Sequence, residues 1–164
     1  AYIGRLSIEK GIEDLLKAAV RLPYKLYIAG RGPLERVFKK RYTSANIIFL
    51  GHVNAKEIVI LLKKVQFSII PSICYENNPL GVIESLCCGT PVLGRNIGGI
   101  PELLKTNICN SLFNDSNDLE SSIVKMFTLH SEIERKELST VAYNYFSAEQ
   151  YYQKWLEIGQ KISS

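Results

Sequence analysis

The chain has 164 residues, of which 46% are hydrophobic and 22% are charged. This length and apolar content suit one globular domain with a full core, and they exclude a disordered or fibrous chain. The formal net charge of +4 permits an anionic ligand, but the aromatic and basic signatures of RNA-binding modules are missing, so no nucleic-acid partner is expected.

Short apolar runs alternate with amphipathic segments along the first two thirds of the chain. The runs predicted as strands are residues 2–4, 25–29, 47–50, 67–70, 91–93 and 109–113. The segments predicted as helices are residues 12–22, 34–42, 55–64, 79–88 and 101–105. Strands that alternate with helices form βαβ units, so the sequence predicts an α/β fold with a doubly wound, Rossmann-like parallel sheet of about six strands.

The loop after the first predicted strand carries two cations. Gly4-Arg5-Leu-Ser-Ile-Glu-Lys10-Gly11 places Arg5 and Lys10 at the carboxyl end of that strand, where doubly wound sheets bind their ligands. An arginine fork and a compact lysine charge together suit a diphosphate, and the alternative is an ordinary solvated loop. Because Lys10 is followed by Gly11 rather than Ser or Thr, the P-loop pattern of nucleoside triphosphatases is disfavoured.

Two glycine-containing turns follow other predicted strands. Gly30-Arg31-Gly32-Pro33 lacks the third glycine of a dinucleotide fingerprint, because Glu35 stands there, so NAD is not predicted and a tight turn is the simpler explanation. The run Gly94-Arg-Asn-Ile-Gly98-Gly99-Ile-Pro101-Glu102 opens a short helix. It either approaches a ligand or only turns the chain.

The fourth predicted strand leads into a helix that suits an anion. Asn78-Pro79 fits a helix start, with Asn78 as the N-cap and Pro79 at the first helical position. The first free backbone N–H groups of this helix would belong to Leu80, Gly81 and Val82, and a parallel sheet binds anions at such a helix start. The helix start is therefore a candidate phosphate seat.

Two glutamates flank this seat. Glu76 lies in the loop before the helix and Glu84 lies within the helix, with seven residues between them. Each carboxylate is suited to accept hydrogen bonds from sugar hydroxyls. The alternative is that both are solvated surface residues.

No metal or redox centre is predicted. The four cysteines show neither CxxC spacing nor a nearby histidine partner, and the chain has no Asp-x-Asp pair for a divalent ion. No apolar run approaches the length of a membrane span. The basic run at residues 39–41 admits contact with an anionic membrane surface, although a solvated helix face explains it better.

The last third of the chain is predicted to be helical. Residues 119–130 have a helical pattern, and Ser131-Glu-Ile-Glu134 and Ser147-Ala-Glu-Gln150 match capping boxes. Residues 131–164 are therefore assigned to C-terminal helices of the same domain. An apolar stripe at helical spacing is expected to pack on this domain or on a neighbour outside the chain, and it comprises Tyr151, Tyr152, Trp155 and Ile158.

In order and spacing, these motifs resemble the donor-binding half of GT-B retaining glycosyltransferases of family 4, the glycosyl transferases group 1. The resemblance covers the chain from Gly4 to the final helix. Beyond the two loops that begin at Gly4 and Gly30, it rests on Phe49-Leu-Gly-His-Val53, Pro71-Ser72, Glu76-x7-Glu84, Cys88-Gly-Thr-Pro-Val92 and Gly98-Gly-Ile-Pro-Glu102. It implies that residues 1–164 form the donor domain, and that an N-terminal acceptor domain is absent from this chain.

The resemblance also implies a role for each candidate residue. The residues implied in catalysis are Arg5 and Lys10, as cations on the donor diphosphate, and Glu76, beside the transferred sugar. The residues implied in nucleotide binding are Glu84 on the ribose, the backbone of Leu80 and Gly81 at the phosphate, and Gly30, Arg31 and Val53 around the base.

The implied reaction transfers a hexosyl group from a nucleotide-sugar to an acceptor hydroxyl with retention of configuration, in polysaccharide, lipopolysaccharide or glycolipid synthesis. No metal or other cofactor is expected, and a UDP-sugar is expected in preference to a GDP-sugar. Implied partners are the missing N-terminal domain and an acceptor glycan or lipid-linked sugar. The full enzyme is expected in the cytoplasm, with peripheral contact at the inner face of the membrane.

The fragment alone is expected to bind nucleotide weakly and to transfer no sugar. Two other functions stay open. One is a non-catalytic nucleotide- or phosphate-binding module of the same fold. The other is a flavodoxin-type signalling domain, and Arg5 argues against it because such domains usually carry an acidic cluster at that strand end.

Overall fold

The computed structural model describes residues 1–105, 110–129, 135–150 and 152–153. The strands within these residues are β1 (Tyr2–Ile3), β2 (Leu26–Ala29), β3 (Ile47–Gly51), β4 (Ser68–Ile70), β5 (Val92–Arg95) and β6 (Ser111–Phe113). The α-helices are α1 (Ile12–Arg21), α2 (Glu35–Arg41), α3 (Ala55–Lys64), α4 (Leu80–Cys87), α5 (Ile100–Leu104), α6 (Ser116–Leu129) and α7 (Arg135–Phe146). A short 3-10 turn, Ile8–Lys10, precedes α1.

The strands pair in parallel as two three-stranded sheets, in the orders β1-β2-β3 and β4-β5-β6. Backbone hydrogen bonds connect β1 to β4, because the Ala1 nitrogen donates to the Phe67 carbonyl oxygen at 2.8 Å and the Ile69 nitrogen donates to the Ala1 carbonyl oxygen at 2.8 Å. The strand order is therefore 3-2-1-4-5-6, with the switch point between β1 and β4. The predicted doubly wound α/β fold is confirmed.

Both faces of the strands are covered by helices, as the apolar strand sequences require. Successive strand residues alternate between two buried clusters, with Ile69 of β4 in the first and Ile70 in the second. Helices α1 and α6 contribute Leu15, Leu16, Ile123 and Met126 to the first cluster. Helices α4, α5 and α7 contribute Val82, Leu86, Ile100, Leu104, Leu138 and Ala142 to the second.

The elements up to β6 begin and end within two residues of their predicted positions in the described part of the chain. Helix α3 has the predicted bounds because a capping box fixes its start. The Asn54 side chain accepts a hydrogen bond from the Glu57 amide at 3.0 Å, and the Glu57 carboxylate accepts one from the Asn54 amide at 2.7 Å. Helix α6 begins three residues earlier than predicted, at Ser116.

The early start of α6 also has a local cause. The Asp115 carboxylate accepts a hydrogen bond from the Asn117 amide at 2.7 Å, and the Asp118 carboxylate accepts one from the Asp115 amide at 3.0 Å. These two hydrogen bonds satisfy backbone donors at the helix start, and they use aspartates that lie outside the predicted apolar pattern.

The predicted C-terminal helices are described only in part. The Gln150 amide donates to the Ser147 hydroxyl at 3.3 Å, which is one half of the predicted capping box. The box at residues 131–134 lies outside the described residues, as do Tyr151, Trp155 and Ile158 of the predicted stripe. The described member of that stripe, Tyr152, is exposed.

Candidate functional site

Two loops meet at the switch point of the sheet. The loop between β1 and α1 contacts the loop that follows β4, and the Ile73 amide donates to the Glu9 carbonyl oxygen at 3.0 Å. Gly11 has a φ of 62°, and a Cβ atom there would lie 2.0 Å from the Pro71 carbonyl oxygen. Only glycine permits this close approach, and the Ile73–Glu9 hydrogen bond connects the two loops.

The contact between these loops brings Lys10 and Glu76 together. The Lys10 Nζ lies 2.5 Å from Glu76 Oε1, and the two side chains are 30% and 18% exposed. The same carboxylate oxygen accepts a hydrogen bond from the Ser72 hydroxyl at 2.9 Å and a weak one from the Cys74 thiol at 3.9 Å. Two of the three predicted catalytic residues are therefore directly paired.

The Glu76 carboxylate is held in its charged form. Burial alone would raise its pKa, but hydrogen bonds from Lys10 and Ser72, the charge of Lys10 and the Cys74 contact together outweigh burial and lower the pKa below its usual value. Glu76 is thus ionised at neutral pH, and an ionised carboxylate is an acceptor for hydroxyl groups.

The backbone of Glu76 is held by the loop after β5. The Gly99 amide donates to the Glu76 carbonyl oxygen at 2.7 Å. A Cβ atom at Gly98 would lie 2.6 Å from that same oxygen, and one at Gly99 would lie 2.1 Å from the Asn77 carbonyl oxygen. The glycine run that the sequence left between two interpretations therefore positions the Glu76 loop.

Arg5 begins the loop after β1, and its side chain is exposed. The Tyr2 hydroxyl donates to the Arg5 carbonyl oxygen at 2.7 Å. Burial, followed by the charges of Glu9 and Glu76, raises the pKa of Tyr2, so the hydroxyl remains a donor. The pKa of Glu9 is lowered first by the Ser7 hydroxyl and then by its own backbone, with smaller contributions from the charges of Arg5 and Lys10. Arg5 thus adds positive charge to the Lys10 loop.

The predicted start of the fourth helix is wrong by one residue. Helix α4 begins at Leu80, and Pro79, with ψ of 110°, is the residue before it, so Asn78 does not cap the helix. The Val82 amide donates to the Pro79 carbonyl oxygen at 3.0 Å. Val82 is therefore removed from the predicted anion seat, and the amides of Leu80 and Gly81 remain candidates.

Glu84 is the fifth residue of α4 and lies roughly 6 Å along the helix axis from Leu80. Its side chain is exposed. Within the described residues, its carboxylate forms no hydrogen bond or ion pair. The structure thus places Glu84 on the helix that follows the Glu76 loop, without a hydrogen bond or ion pair to Lys10 or Glu76.

The predicted base-binding residues form a second group at the ends of β2 and β3. The Gly30 amide donates to the Gly51 carbonyl oxygen at 2.6 Å, and the Arg31 Nε lies 4.0 Å from the position of a Cβ on Gly51. The turn at Gly51 leads to the half-buried Val53. The Leu6 amide donates to the Arg31 carbonyl oxygen at 3.0 Å, which ties this group to the loop after β1.

Sequence reasoning missed Ser72 as a site residue. Pro71-Ser72 is predicted only as part of the family pattern, whereas in the structure the Ser72 hydroxyl donates to the Glu76 carboxylate. The available signal was a small hydroxyl residue at the end of an apolar strand, four positions before a predicted site carboxylate.

Three further features of the described residues concern a cavity, metal ligands and membrane spans. A cavity of about 580 Å³ lies at the opposite, amino edge of β2 and β4, and its lining includes Leu22, Tyr24, Phe67 and Phe127 but none of the predicted site residues. No group of three or more His, Cys, Asp or Glu side chains in the described part of the chain could hold a metal ion. Among the described helices, none combines the length and the apolar character of a membrane span.

In comparisons of sequence, this chain is similar to glycosyltransferases. The family model for glycosyl transferases group 1 matches residues 1–145. An uncharacterized glycosyltransferase of Methanocaldococcus jannaschii is 33% identical over 115 residues, which are 65% of this chain and 29% of that protein. The sulfoquinovosyl transferase SQD2 of Arabidopsis thaliana is 28% identical over 143 residues, which are 84% of this chain and 27% of that protein.

Among solved structures, Anabaena HepE in complex with UDP-glucose superimposes with a TM-score of 0.79 and 20% identity, over 98% of this chain and 48% of that chain. The chain thus spans under a third of these two curated relatives and about half of this solved structure. The family match covers most of the chain, and the chain therefore belongs to the glycosyl transferases group 1 family.

Proposed function

We propose that this chain is the donor-binding domain of a retaining glycosyltransferase of family 4, which transfers a hexosyl group from a nucleotide-sugar to an acceptor hydroxyl. The observation that carries the proposal is the Lys10–Glu76 pair, which puts a cation and an ionised carboxylate at the switch point of the sheet. Ligands of doubly wound sheets bind at this point. A nucleotide-sugar supplies a diphosphate for the cation and sugar hydroxyls for the carboxylate.

In this proposal, Arg5 and Lys10 bind the diphosphate together with the amides of Leu80 and Gly81. When the glycosidic bond breaks, negative charge grows on the β-phosphate oxygen, and preorganised donors stabilise that charge. Removing one such donor typically raises the barrier by about 3–4 kcal/mol. These groups supply the stabilisation from the protein alone, so we propose a reaction without metal.

The remaining candidates recognise the two ends of the donor. Glu76 accepts hydrogen bonds from the transferred sugar, and Glu84, further along α4, accepts them from the ribose. Arg31, with the turns at Gly30 and Val53, surrounds the base. UDP is proposed in preference to GDP, and the solved complex of Anabaena HepE with UDP-glucose is in keeping with that choice.

The chain spans only part of its relatives, so the whole enzyme is also a proposal. We propose that an N-terminal domain of the same GT-B enzyme faces the Lys10–Glu76 pair and binds the acceptor, a glycan or a lipid-linked sugar. The product is then a polysaccharide, lipopolysaccharide or glycolipid, made in the cytoplasm at the inner face of the membrane. This chain alone would bind donor but transfer no sugar.

The test is calorimetry of this chain with UDP, GDP, ADP and UDP-glucose, repeated with Glu84→Ala. UDP is expected to bind best, and Glu84→Ala is expected to weaken UDP binding about tenfold, as the loss of a hydrogen bond to a charged group does. Glu137→Ala, which removes an exposed carboxylate on α7, is the matched control.

Equal UDP binding by Glu84→Ala and wild type would remove Glu84 from the ribose role, and absence of nucleotide binding would overturn the proposal. Nucleotide binding without transfer or donor hydrolysis by the longer parent protein would instead favour a non-catalytic module.

A further inference from the structure

Ser72 is the first hydroxyl residue after β4, and it is a buried residue in contact with the partly buried Glu76 carboxylate. The residue is 3% exposed, and its hydroxyl donates to Glu76 Oε1 at 2.9 Å. Lys10 Nζ binds the same oxygen at 2.5 Å. A buried hydroxyl that donates to a carboxylate is a charge-assisted hydrogen bond, which is stronger than one between neutral groups.

The donors on Glu76 are distributed unequally between its two oxygens. Lys10, Ser72 and Cys74 all bind Oε1, whereas Oε2 accepts no hydrogen bond from any described residue. A carboxylate can accept at both oxygens. The protein thus occupies one oxygen of Glu76 and leaves the other available to a hydroxyl of a ligand.

The two principal donors differ in how firmly they are held. The Lys10 ammonium sits on a flexible four-carbon stem and is 30% exposed. The Ser72 hydroxyl is one carbon from a backbone that follows β4 directly, and the next residue, Ile73, is fixed to the Glu9 carbonyl oxygen at 3.0 Å. Of the two donors, the Ser72 hydroxyl is therefore the one with less freedom to leave Glu76.

We propose that Ser72 is a positioning residue that anchors Glu76 as Lys10 turns to the diphosphate, so that Glu76 keeps its alignment with a hydroxyl of the transferred sugar. The proposal deepens the proposed function and rests on it for the identity of the ligand. It predicts that loss of the Ser72 hydroxyl weakens the affinity for UDP-glucose more than the affinity for UDP, because only UDP-glucose carries the sugar that Glu76 would bind.

The first experiment needs no ligand. In an NMR titration of the Glu76 carboxyl, Ser72→Ala is expected to raise the pKa of Glu76, because a donor to the charged form is lost. Ser72→Thr keeps the hydroxyl and is expected to restore the wild-type titration. Ser68→Ala is the matched control, since Ser68 is a buried hydroxyl on β4 that donates to the Ser85 hydroxyl at 2.8 Å and not to Glu76. An unchanged pKa in Ser72→Ala would overturn the proposal.

The second experiment measures dissociation constants for UDP and UDP-glucose with the same variants. Ser72→Ala is expected to weaken UDP-glucose about tenfold and UDP by less than about twofold, and Ser72→Thr is expected to recover most of the loss. Equal weakening of both ligands, or of neither, would overturn the proposal. If wild type binds neither ligand, the proposed function fails, and the titration of Glu76 still decides whether Ser72 positions the carboxylate.

Discussion

Lys10 and Glu76 are separated by 66 positions in the sequence, yet Lys10 Nζ and Glu76 Oε1 lie 2.5 Å apart between the loops that follow β1 and β4. Both side chains are mostly buried, so the pair is screened less than one at the surface. In the proposed function, a diphosphate bound here would compete with Glu76 for the Lys10 charge. Binding of the donor would then change both the charge balance around Glu76 and its placement.

We expect Lys10→Ala to weaken UDP binding about tenfold to a hundredfold, because a hydrogen bond to a charged group contributes about 1.5–3 kcal/mol. Calorimetry measures the change. Lys17→Ala is the matched control, since Lys17 is an exposed lysine on α1 whose ion pair with Asp14 is a loose 3.8 Å contact. Equal effects of the two substitutions would show that net charge, rather than the placement of Lys10, attracts the nucleotide.

The Lys10–Glu76 pair should make the free energy of unfolding depend on pH in the acid range. The pKa of Glu76 in the folded chain lies below its ordinary value of 4.5. The stabilisation is therefore fully present above about pH 4.5 and is lost as the pH falls through the folded pKa. In denaturant unfolding, the wild type should have a larger free energy of unfolding than Glu76→Gln at neutral pH. This difference in free energy should disappear as the pH falls below 4.5.

Other carboxylates with lowered pKa values, those of Glu9, Glu35 and Asp118, titrate in both proteins, so the difference between wild type and Glu76→Gln isolates Glu76. If the difference in free energy of unfolding between the two proteins stays constant across the acid range, the Lys10–Glu76 pair does not lower the pKa of Glu76.

Gly99→Ala is expected to reduce stability by about 1–3 kcal/mol, as overpacking does, and to weaken UDP-glucose binding. The added Cβ would lie 2.1 Å from the Asn77 carbonyl oxygen and would push the Glu76 loop away. Gly81→Ala is the control for the unfolding measurement alone, because Gly81 is itself a proposed donor-binding residue. Among the described atoms its Cβ would meet Ile70 Cδ1 at 3.6 Å, an ordinary contact, and alanine favours the helix. If Gly99→Ala unfolds at the same denaturant concentration as wild type, the loop after β5 does not position Glu76.

Asn54→Ala should reduce the free energy of unfolding by about 1 kcal/mol, because it removes one half of the α3 capping box. Combining it with Glu57→Ala should cost less than the sum of the two single changes, since each side chain caps the backbone of the other. Asn54→Asp keeps the acceptor and serves as the control. Additive losses in denaturant unfolding would show that the two hydrogen bonds act independently.

Local signals account for what the sequence predicted correctly. The apolar run before Ser72 acts over a few residues and predicts a strand. The structure adds the capping box at Asn54, which acts over the same short range and fixes the start of α3. Asn78-Pro79 had the right residue types for a helix start, but the extended Pro79 backbone delays the helix to Leu80. Residue types at a helix start fix its boundary only to within one or two residues.

The contacts that build the site depend on distant parts of the chain. The Ser72 hydroxyl bond to Glu76 requires a particular loop path, and the support from Gly98 and Gly99 requires that β5 lie beside β4. Neither follows from periodicity or residue type. The pairing of Lys10 with Glu76 was within reach of sequence reasoning only through the switch-point rule for doubly wound sheets.

The two three-stranded sheets meet along β1 and β4, and this division has a consequence for how the site is assembled. Residues 1–64 supply Lys10, Arg31 and Val53, whereas Ser72, Glu76 and Leu80 come from the second sheet and its loops. Neither half of the chain carries a whole site. A nucleotide-sugar bound across this junction would hold the halves in alignment, so its binding would report the integrity of the entire domain.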